Sequence, residues 1–405
     1  MQIGSLIKFH RSKQGMTQST LSMGICSIPH LSKIENNSKE ANKETIRLLL
    51  ERLAISLQNV EDSSRNIRHV LAEFLAHIQY CEEEKVTEAF LQLEYYQEIV
   101  LFTDYIYLNE LYKLRYYLFI KDIAKAEKQL KWLQFQKQNF SQHEKYLLSY
   151  FSALILVLRG RYEEADELLS NVVQEHIGLG SFEGEIYYHL AVVKGYLDQS
   201  SQAILYGKKA LQFFKEQYNF KRIIYALMSL AINYSRSKVY NEALETYNYL
   251  LRITEMFPHG NLLPQIYHNI GDLHHNMGNY SIALAYFKKS STIMPKNNEN
   301  YLLCLYNVSQ TEFRLEQWSE SKESFELLKE EALKMKALHY RLYAIFYLLL
   351  LNDQKEKAML FLEKKIMPFT SKRGELKEAH HHFSNILADY YKQEGEFEKA
   401  VQFIM

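Results

Sequence analysis

The sequence predicts an all-α chain: a small N-terminal helical bundle, then a long array of paired helices. Three observations predict it. Breakers are scarce, with 14 Gly and 5 Pro in 405 residues, while 31 Tyr and 22 Phe supply bulk for packing between helices. Apolar residues recur at i, i+3 and i+4, as in Ile3, Leu6 and Ile7, and not at every second position. From residue 89 onward a small residue returns at intervals of 37 to 42 positions, the mark of stacked units too small to bury their own faces.

Composition bounds the function classes. Net charge is zero, yet residues 1–60 carry eight Lys/Arg against four Asp/Glu, and the remainder carries forty against forty-four. A basic head on a mildly acidic body points to a polyanion partner for the head alone. Cys26, Cys81 and Cys304 lie far apart with no CxxC, which argues against a disulfide framework or a zinc site and fits a reducing compartment. The opening MQIGSLIKFHRSKQG lacks the apolar stretch of a secretory signal, and runs such as FYLLLL (346–351) are too short to span a bilayer. A soluble cytoplasmic protein with no membrane partner is expected.

In the head, residues 1–60, Ile3 to Gln14 reads as the first helix, ended by Gly15. Thr17 caps a short helix through Met23, with Leu21 as its core contact, and Gly24 makes the turn. Ser27 caps a third helix whose first turn holds Pro29, where a missing N–H costs nothing; Leu31 and Ile34 face inward. NNSKEANK (36–43) interrupts, and ETIRLLLERLAISL (44–57) forms a further helix. Two short helices joined by a tight turn make a helix-turn-helix, whose second helix enters the major groove of DNA. Its outward residues are Ser27, Ile28, His30 and Lys33, of which Ser27, His30 and Lys33 can reach base edges or phosphates. Gln18 is placed for a phosphate contact, and Arg11, Asn36, Asn37 and Lys39 can add more.

HRSKQGMTQSTLS (10–22) and ICSIPHLSKIENN (25–37) together resemble the Cro/C1-type helix-turn-helix family. Asn37 stands where that family usually has Gly, and Asn tolerates the left-handed backbone this position needs. The small basic excess implies weak binding by one copy, so a dimer on two half-sites of a double-stranded operator is expected.

Residues 61–68, within ISLQNVEDSSRNIR (55–68), read as a linker because of the Ser-Ser and polar run; a continuous helix is the other reading. Residues 69–405 hold about nine repeats, marked by Ala89, Ala126, Ala165, Ala203, Ala243, Ala283, Ser321, Ala358 and Ala400. The clearest copy, YHNIGDLHHNMGNYSIALAYFKKSSTIMP (267–295), resembles the tetratricopeptide consensus at Gly271, Gly278-Asn279-Tyr280, Ala283, Phe287 and Pro295. Small residues let the two helices of a pair approach, and aromatic residues fill the gap to the next pair, so the array should wind into a right-handed superhelix. The closing AVQFIM has no polar capping helix, which implies cover by another subunit or a frayed end.

The concave wall of such an array is made mainly by first helices. Aligned on the small residues, Ser229, Asn269 and Asn307 share one place on it. Asp272 and Gln310 come three residues later, and Arg236, Asn276 and Arg314 a turn further. Arg115, Tyr188 and His189 hold comparable places upstream. An Asn amide donates to a carbonyl and accepts from an N–H, so successive Asn can hold an extended peptide by its backbone, and Arg can take a carboxylate. HHH (380–382) spreads three imidazoles around a helix, so they cannot converge on one metal and read as solvated. His268, His274 and His275 form no HExxH, and no phosphate loop or GxSxG occurs. No metal, cofactor or enzymatic activity is expected.

A Cro/C1-type head joined to tetratricopeptide-like repeats resembles the peptide quorum-sensing regulators of Gram-positive bacteria (RRNPP type, NprR/PlcR-like). The resemblance implies a transcription regulator whose repeats bind an imported short signalling peptide, which resets a dimer or tetramer and its hold on DNA. It also implies an alternative, in which the array binds and inhibits a response regulator of the sporulation phosphorelay through its first two repeats (67–140); the two modes can coexist in one chain.

Overall fold

The structure is a computed structural model that describes residues 3–38, 41–175, 182–256, 262–371, 373 and 376–403. Every regular element among the described residues is helical, and none of these helices is long and apolar enough to cross a membrane. Four helices build the head: α1 (Ile3–Lys13), α2 (Gln18–Ser22), α3 (Ile28–Glu35) and α4 (Lys43–Arg52). Thr17 Oγ1 accepts from the Thr20 N–H at 3.1 Å, and Ser27 Oγ from the His30 N–H at 3.4 Å. These side-chain caps start α2 and α3 where the sequence places them. Gly24 (φ +71°) turns the chain between them, and Asn37 (φ 53°) adopts the left-handed conformation its position requires. α4 is shorter than expected, because the chain turns at Ala54 (φ 59°) after the carbonyls of Leu49 and Leu50 are capped by the Leu53 N–H.

Leu6, Ile7, Leu21, Leu31, Ile34, Leu49, Leu50 and Leu53 form the head's core, with Phe102 closing one side. Each fully buried aliphatic side chain contributes roughly 1.5–3 kcal/mol. α1 and α3 touch at Gly4, where a Cβ would lie 1.8 Å from the carbonyl oxygen of Ile34, so no larger residue fits.

The expected linker at 61–68 is instead part of one continuous helix, α5 (Leu57–Gln79). The cause is the stripe Ile67, Val70, Leu71, Phe74 and Ile78, all buried, which extends helical order backward through the polar run; Asp62 and Arg65 pair across one turn within it. The head is further tied down by Lys13 on Glu98 at 2.8 Å and Phe9 against Phe102.

Helices then come in pairs. α5 is followed by α6 (Glu83–Tyr95) and a one-turn α7 (Gln97–Val100), then α8 (Ile106–Phe119) with α9 (Ile123–Gln136) and α10 (Gln142–Leu158) with α11 (Tyr162–Glu175). Next are α12 (Glu183–Tyr196) with α13 (Ser200–Glu216), α14 (Phe220–Arg236) with α15 (Tyr240–Met256), and α16 (Leu263–Asn276) with α17 (Tyr280–Ile293). The last are α18 (Glu299–Arg314) with α19 (Trp318–Lys334), α20 (Leu338–Leu351) with α21 (Lys355–Phe361), a one-turn α22 (Met367–Thr370), and α23 (Lys377–Gln393) with α24 (Phe397–Gln402). All nine small residues that mark the repeat are buried on the second helix of a pair.

Each turn within a pair holds one left-handed residue: Cys81, Lys121, Gly160, Asp198, Lys238, Gly278, Glu316, Asp353 or Gly395. From Lys121 onward that residue stands five positions before the small residue of the following helix. Only three of the nine are Gly, so six non-glycine residues accept the left-handed strain to end their helix.

The chain divides into two compact units, Met1–Val193 with Gln212–Arg222, and Lys194–Leu211 with Ile223–Met405. Unit one contains the head. Unit two is packed by aromatic side chains, with Phe325 stacked on Tyr347 at 4.6 Å and Phe383 against both Tyr343 and Phe346.

Candidate functional site

On the head, the residues expected at DNA divide into two groups. His30 and Lys33 stand on the outer side of α3, with Lys33 exposed and unpaired among the described residues, and Ser27 spends its hydroxyl as the cap of α3. Arg11 and Gln18 are corrected. Glu35 is buried and draws both inward: Arg11 Nε and Nη2 donate to it at 2.6 and 3.1 Å, and Gln18 Nε2 at 2.8 Å. Arg11 Nη1 also donates to the Met16 carbonyl at 2.8 Å. A buried carboxylate needs this compensation, so these two side chains tie α1 and α2 to α3 and are not free for phosphate. Asn36 accepts from Lys8 Nζ at 3.3 Å, and Asn37 donates to Ser5 Oγ at 2.7 Å, so both brace the end of α3 against α1. Lys39 lies outside the described residues.

Unit one also holds three of the residues expected at a peptide: Arg115 is corrected, while Tyr188 and His189 are half-buried beside it. Arg115 is buried and donates to Glu185 Oε2 at 3.0 Å; Arg222 Nη2 meets Glu185 Oε1 at 2.9 Å, and Tyr150 OH donates to Oε2 at 3.2 Å. His189 Nδ1 lies 2.8 Å from the Glu185 carbonyl, and Tyr188 packs edge-on to the His189 ring. Burial alone would raise the pKa of Glu185, but Arg222 and then Arg115 outweigh it and hold the carboxyl below its ordinary value. The cluster is a closed ionic core, with Arg115 committed to a partner 70 residues away.

The open site is in unit two. A cavity of about 760 Å³ is lined from α14, α16, α18, α20 and α23. Seven expected residues line it: Arg236, Asn269, Asp272, Asn276, Asn307, Gln310 and Arg314. Ser229 does not; it is buried away from the cavity. α16 and α18 each contribute one face, because residues three and four apart stack along a helix, as 265, 268, 269, 272 and 276 do on α16.

The cavity wall is hydrogen-bonded but not filled. Asn307 Nδ2 lies 3.0 Å from His268 Nε2 and donates to Asp272 Oδ1 at 3.2 Å, crossing from α18 to α16. Gln310 Nε2 donates to Tyr306 OH and Tyr347 OH at 3.2 and 3.1 Å and sits 3.1 Å from His382 Nε2. Arg236 donates to the Gly195 carbonyl at 2.6 Å and meets Glu378 at 3.5 Å. Arg314 donates to Tyr280 OH at 3.3 Å and lies over its ring. Asn269 donates only to Met228 Sδ, a weak acceptor, and its amide oxygen has no partner among the described residues. The Asp272 side chain is 46% exposed to the cavity, yet protein surrounds it and burial raises its pKa.

Reading the sequence alone missed the histidine and tyrosine share of this wall: His268, His275, Tyr306, His339 and His382 among others. Their signal was present, since His268 and His275 fall on the same helical face as Asn269 and Asp272. The triple histidine is also corrected: His382 is half-buried in the wall and His380 Nδ1 lies 2.7 Å from Thr370 Oγ1, while His381 alone is exposed. No group of metal-ligating side chains occurs among the described residues.

Burial pushes His189, His275 and His382 down to about 4, from an ordinary value of 6.5. Below pH 6.5 the unfolded chain takes up protons that these folded histidines refuse, so stability falls as pH drops from 6.5 toward 4. Asp272, raised by burial, works in the opposite sense, one group against three. Urea unfolding midpoints should decline steadily between pH 6.5 and 4, and His189→Gln should make the slope shallower. A flat midpoint across that window would contradict the burial of these rings.

Comparison with known proteins places this geometry. A helix-turn-helix family model matches residues 7–59 and a tetratricopeptide repeat model matches residues 264–297. The transcriptional activator NprA of Geobacillus stearothermophilus is 26% identical over 402 residues, covering 94% of this chain and 96% of the relative. The chain is similar to the RRNPP-type regulators over nearly its whole length. A second relative, the regulatory protein RapD of Bacillus subtilis (strain 168), is 26% identical over 276 residues, 64% of the chain and 75% of RapD. Among solved structures, the apo form of the quorum sensor NprR from B. thuringiensis superposes with a TM-score of 0.74 at 22% identity, covering 84% of this chain and 97% of that one. NprR in complex with its cognate peptide NprX gives 0.67, again at 22% identity, with 83% and 96% covered. These likenesses support the all-α class, a helix-turn-helix followed by a tetratricopeptide-type array.

Proposed function

We propose that this regulator binds an imported short linear peptide in the unit-two cavity, and that the peptide thereby controls how the paired heads of a homo-oligomer engage a double-stranded operator, all in the cytoplasm. The cavity carries the reading: about 760 Å³ of open space, lined by amides and two guanidiniums on successive first helices. That volume is in the range of ligand sites, and polar groups repeating from helix to helix suit the evenly spaced carbonyls and N–H groups of an extended chain. The peptide can act only by binding one arrangement of the oligomer more tightly than another. Titrating the full chain with synthetic peptides, while following mass in solution and operator retention, tests this; a chain whose mass and DNA binding ignore every peptide that occupies the cavity overturns it.

Operator reading is assigned to His30 and Lys33. Lys33→Ala should weaken binding to all sequences alike and reduce the slope of affinity against log salt by about 1, whereas His30→Ala should change sequence preference. Operator affinity and preference that stay the same in both variants would remove α3 from the interface. The likeness to RapD favours a second mode, inhibition of a response regulator through residues 67–140; retention of such a partner by the peptide-free chain, and its release by peptide, is the corresponding test.

A further inference from the structure

We propose that Ile28 and Pro29, the first residues of α3, read thymine through its 5-methyl group, so that the half-site of this regulator carries thymine where they meet it. This rests on the reading of the head as a DNA-binding module and adds the base it selects.

In the major groove every base edge offers donors or acceptors, and thymine alone adds an apolar methyl. A side chain that reads guanine, adenine or cytosine there needs a polar end. The two leading residues of α3 have none. Ile28 is 46% exposed, Pro29 is also exposed, and neither joins the head's core, which takes Leu31 and Ile34 from the same helix. Two polar groups beside them are occupied, since Ser27 Oγ caps the His30 N–H and Gln18 is held by Glu35, while His30 and Lys33 follow further along α3. What leads the helix is therefore an apolar platform. It is also stiff, because Ile is β-branched and the Pro ring fixes its own φ, so little freedom is lost when a base edge closes on it. An apolar side chain leaving water for an apolar contact gains by it. A helix that enters the groove with this end first meets one apolar group on DNA, the thymine methyl.

The test begins with the full chain selecting its preferred site from a random double-stranded pool. Each thymine of that site is then replaced by deoxyuracil, which deletes the methyl and keeps every hydrogen-bonding group. At one or two positions the exchange should weaken binding about fourfold, the worth of one buried methyl group. Ile28→Ala should bind the thymine and uracil forms of that position alike. Ile28→Gln, whose amide can pair with adenine N6 and N7, should select adenine there instead. Uracil tolerated everywhere by the unaltered chain, or an undiminished uracil penalty in Ile28→Ala, overturns the proposal while leaving DNA reading intact. A chain that selects no sequence at all overturns DNA reading itself, and this inference with it.

Discussion

Replacing Glu185 by Ala should destabilise the protein by about 3–5 kcal/mol, the cost of leaving buried charge without its partner. Glu185 meets both Arg115 and Arg222, so its loss strands two guanidiniums in the interior of unit one. Arg222 does more than pair. Its Nε donates to the Gln79 carbonyl at 3.1 Å, Asn219 Nδ2 donates to the same oxygen at 2.9 Å, and Lys221 Nζ donates to the Cys81 carbonyl at 2.9 Å. Residues 219–222 thus cap the free carbonyls at the end of α5 from 140 positions away, with cations at the negative end of the helix dipole. Removing Glu185 should loosen this clasp as well. The measurement is the urea midpoint of the full chain. A second variant separates charge from packing: Glu185→Leu combined with Arg115→Met and Arg222→Met should recover much of the loss, because a buried ionic group replaced whole by apolar residues is often neutral or better. A loss below about 1 kcal/mol in Glu185→Ala would mean that water already solvates the cluster.

That clasp also shows which parts of the fold were legible in the sequence. The repeats were, because their marks are local: a turn residue, a small residue five positions later, and an aromatic one turn on. The head was, because Thr17 and Ser27 cap their own helices and Gly24 turns the chain within it. The destinations of polar side chains were not. Arg11 and Gln18 look like phosphate ligands until Glu35, 24 and 17 positions away, turns out to be buried between them. Arg115 looks like a groove residue until Glu185 closes over it, 70 positions on. His382 looks solvated until Gln310 is found beside it from 72 positions away. Each outcome depends on a non-local contact that spacing along the chain does not encode. The linker failed for the converse reason: Ser63 and Ser64 carry a local preference for a break, and the buried stripe starting at Ile67 overrides it.

The cavity supplies the second large effect. Asn269→Ala with Asn307→Ala should lower peptide affinity about a hundredfold and leave operator binding by the peptide-free chain unchanged. The two side chains act differently. Asn269 sits on α16 with an open amide oxygen and only a sulfur for its N–H, so a peptide group meeting it gains hydrogen bonds at little cost to the wall. Asn307 already bridges His268 and Asp272, so its replacement withdraws a donor from Asp272 and lets that carboxylate shift. Each lost hydrogen bond to a desolvated peptide group costs about 1–3 kcal/mol, so the two that the Asn269 amide can make, about 2–6 kcal/mol together, bracket the roughly 2.7 kcal/mol of a hundredfold change. Asn269→Ala alone should weaken binding with the pH dependence retained. Asn307→Ala alone should also move the pH at which binding changes upward, since Asp272, already held above its ordinary pKa by burial, loses a donor that favours its charged form. Calorimetric titration of both single variants at several pH values measures this. Equal, pH-independent losses would mean that Asn307 meets the peptide directly and that its bridge to Asp272 opens on binding.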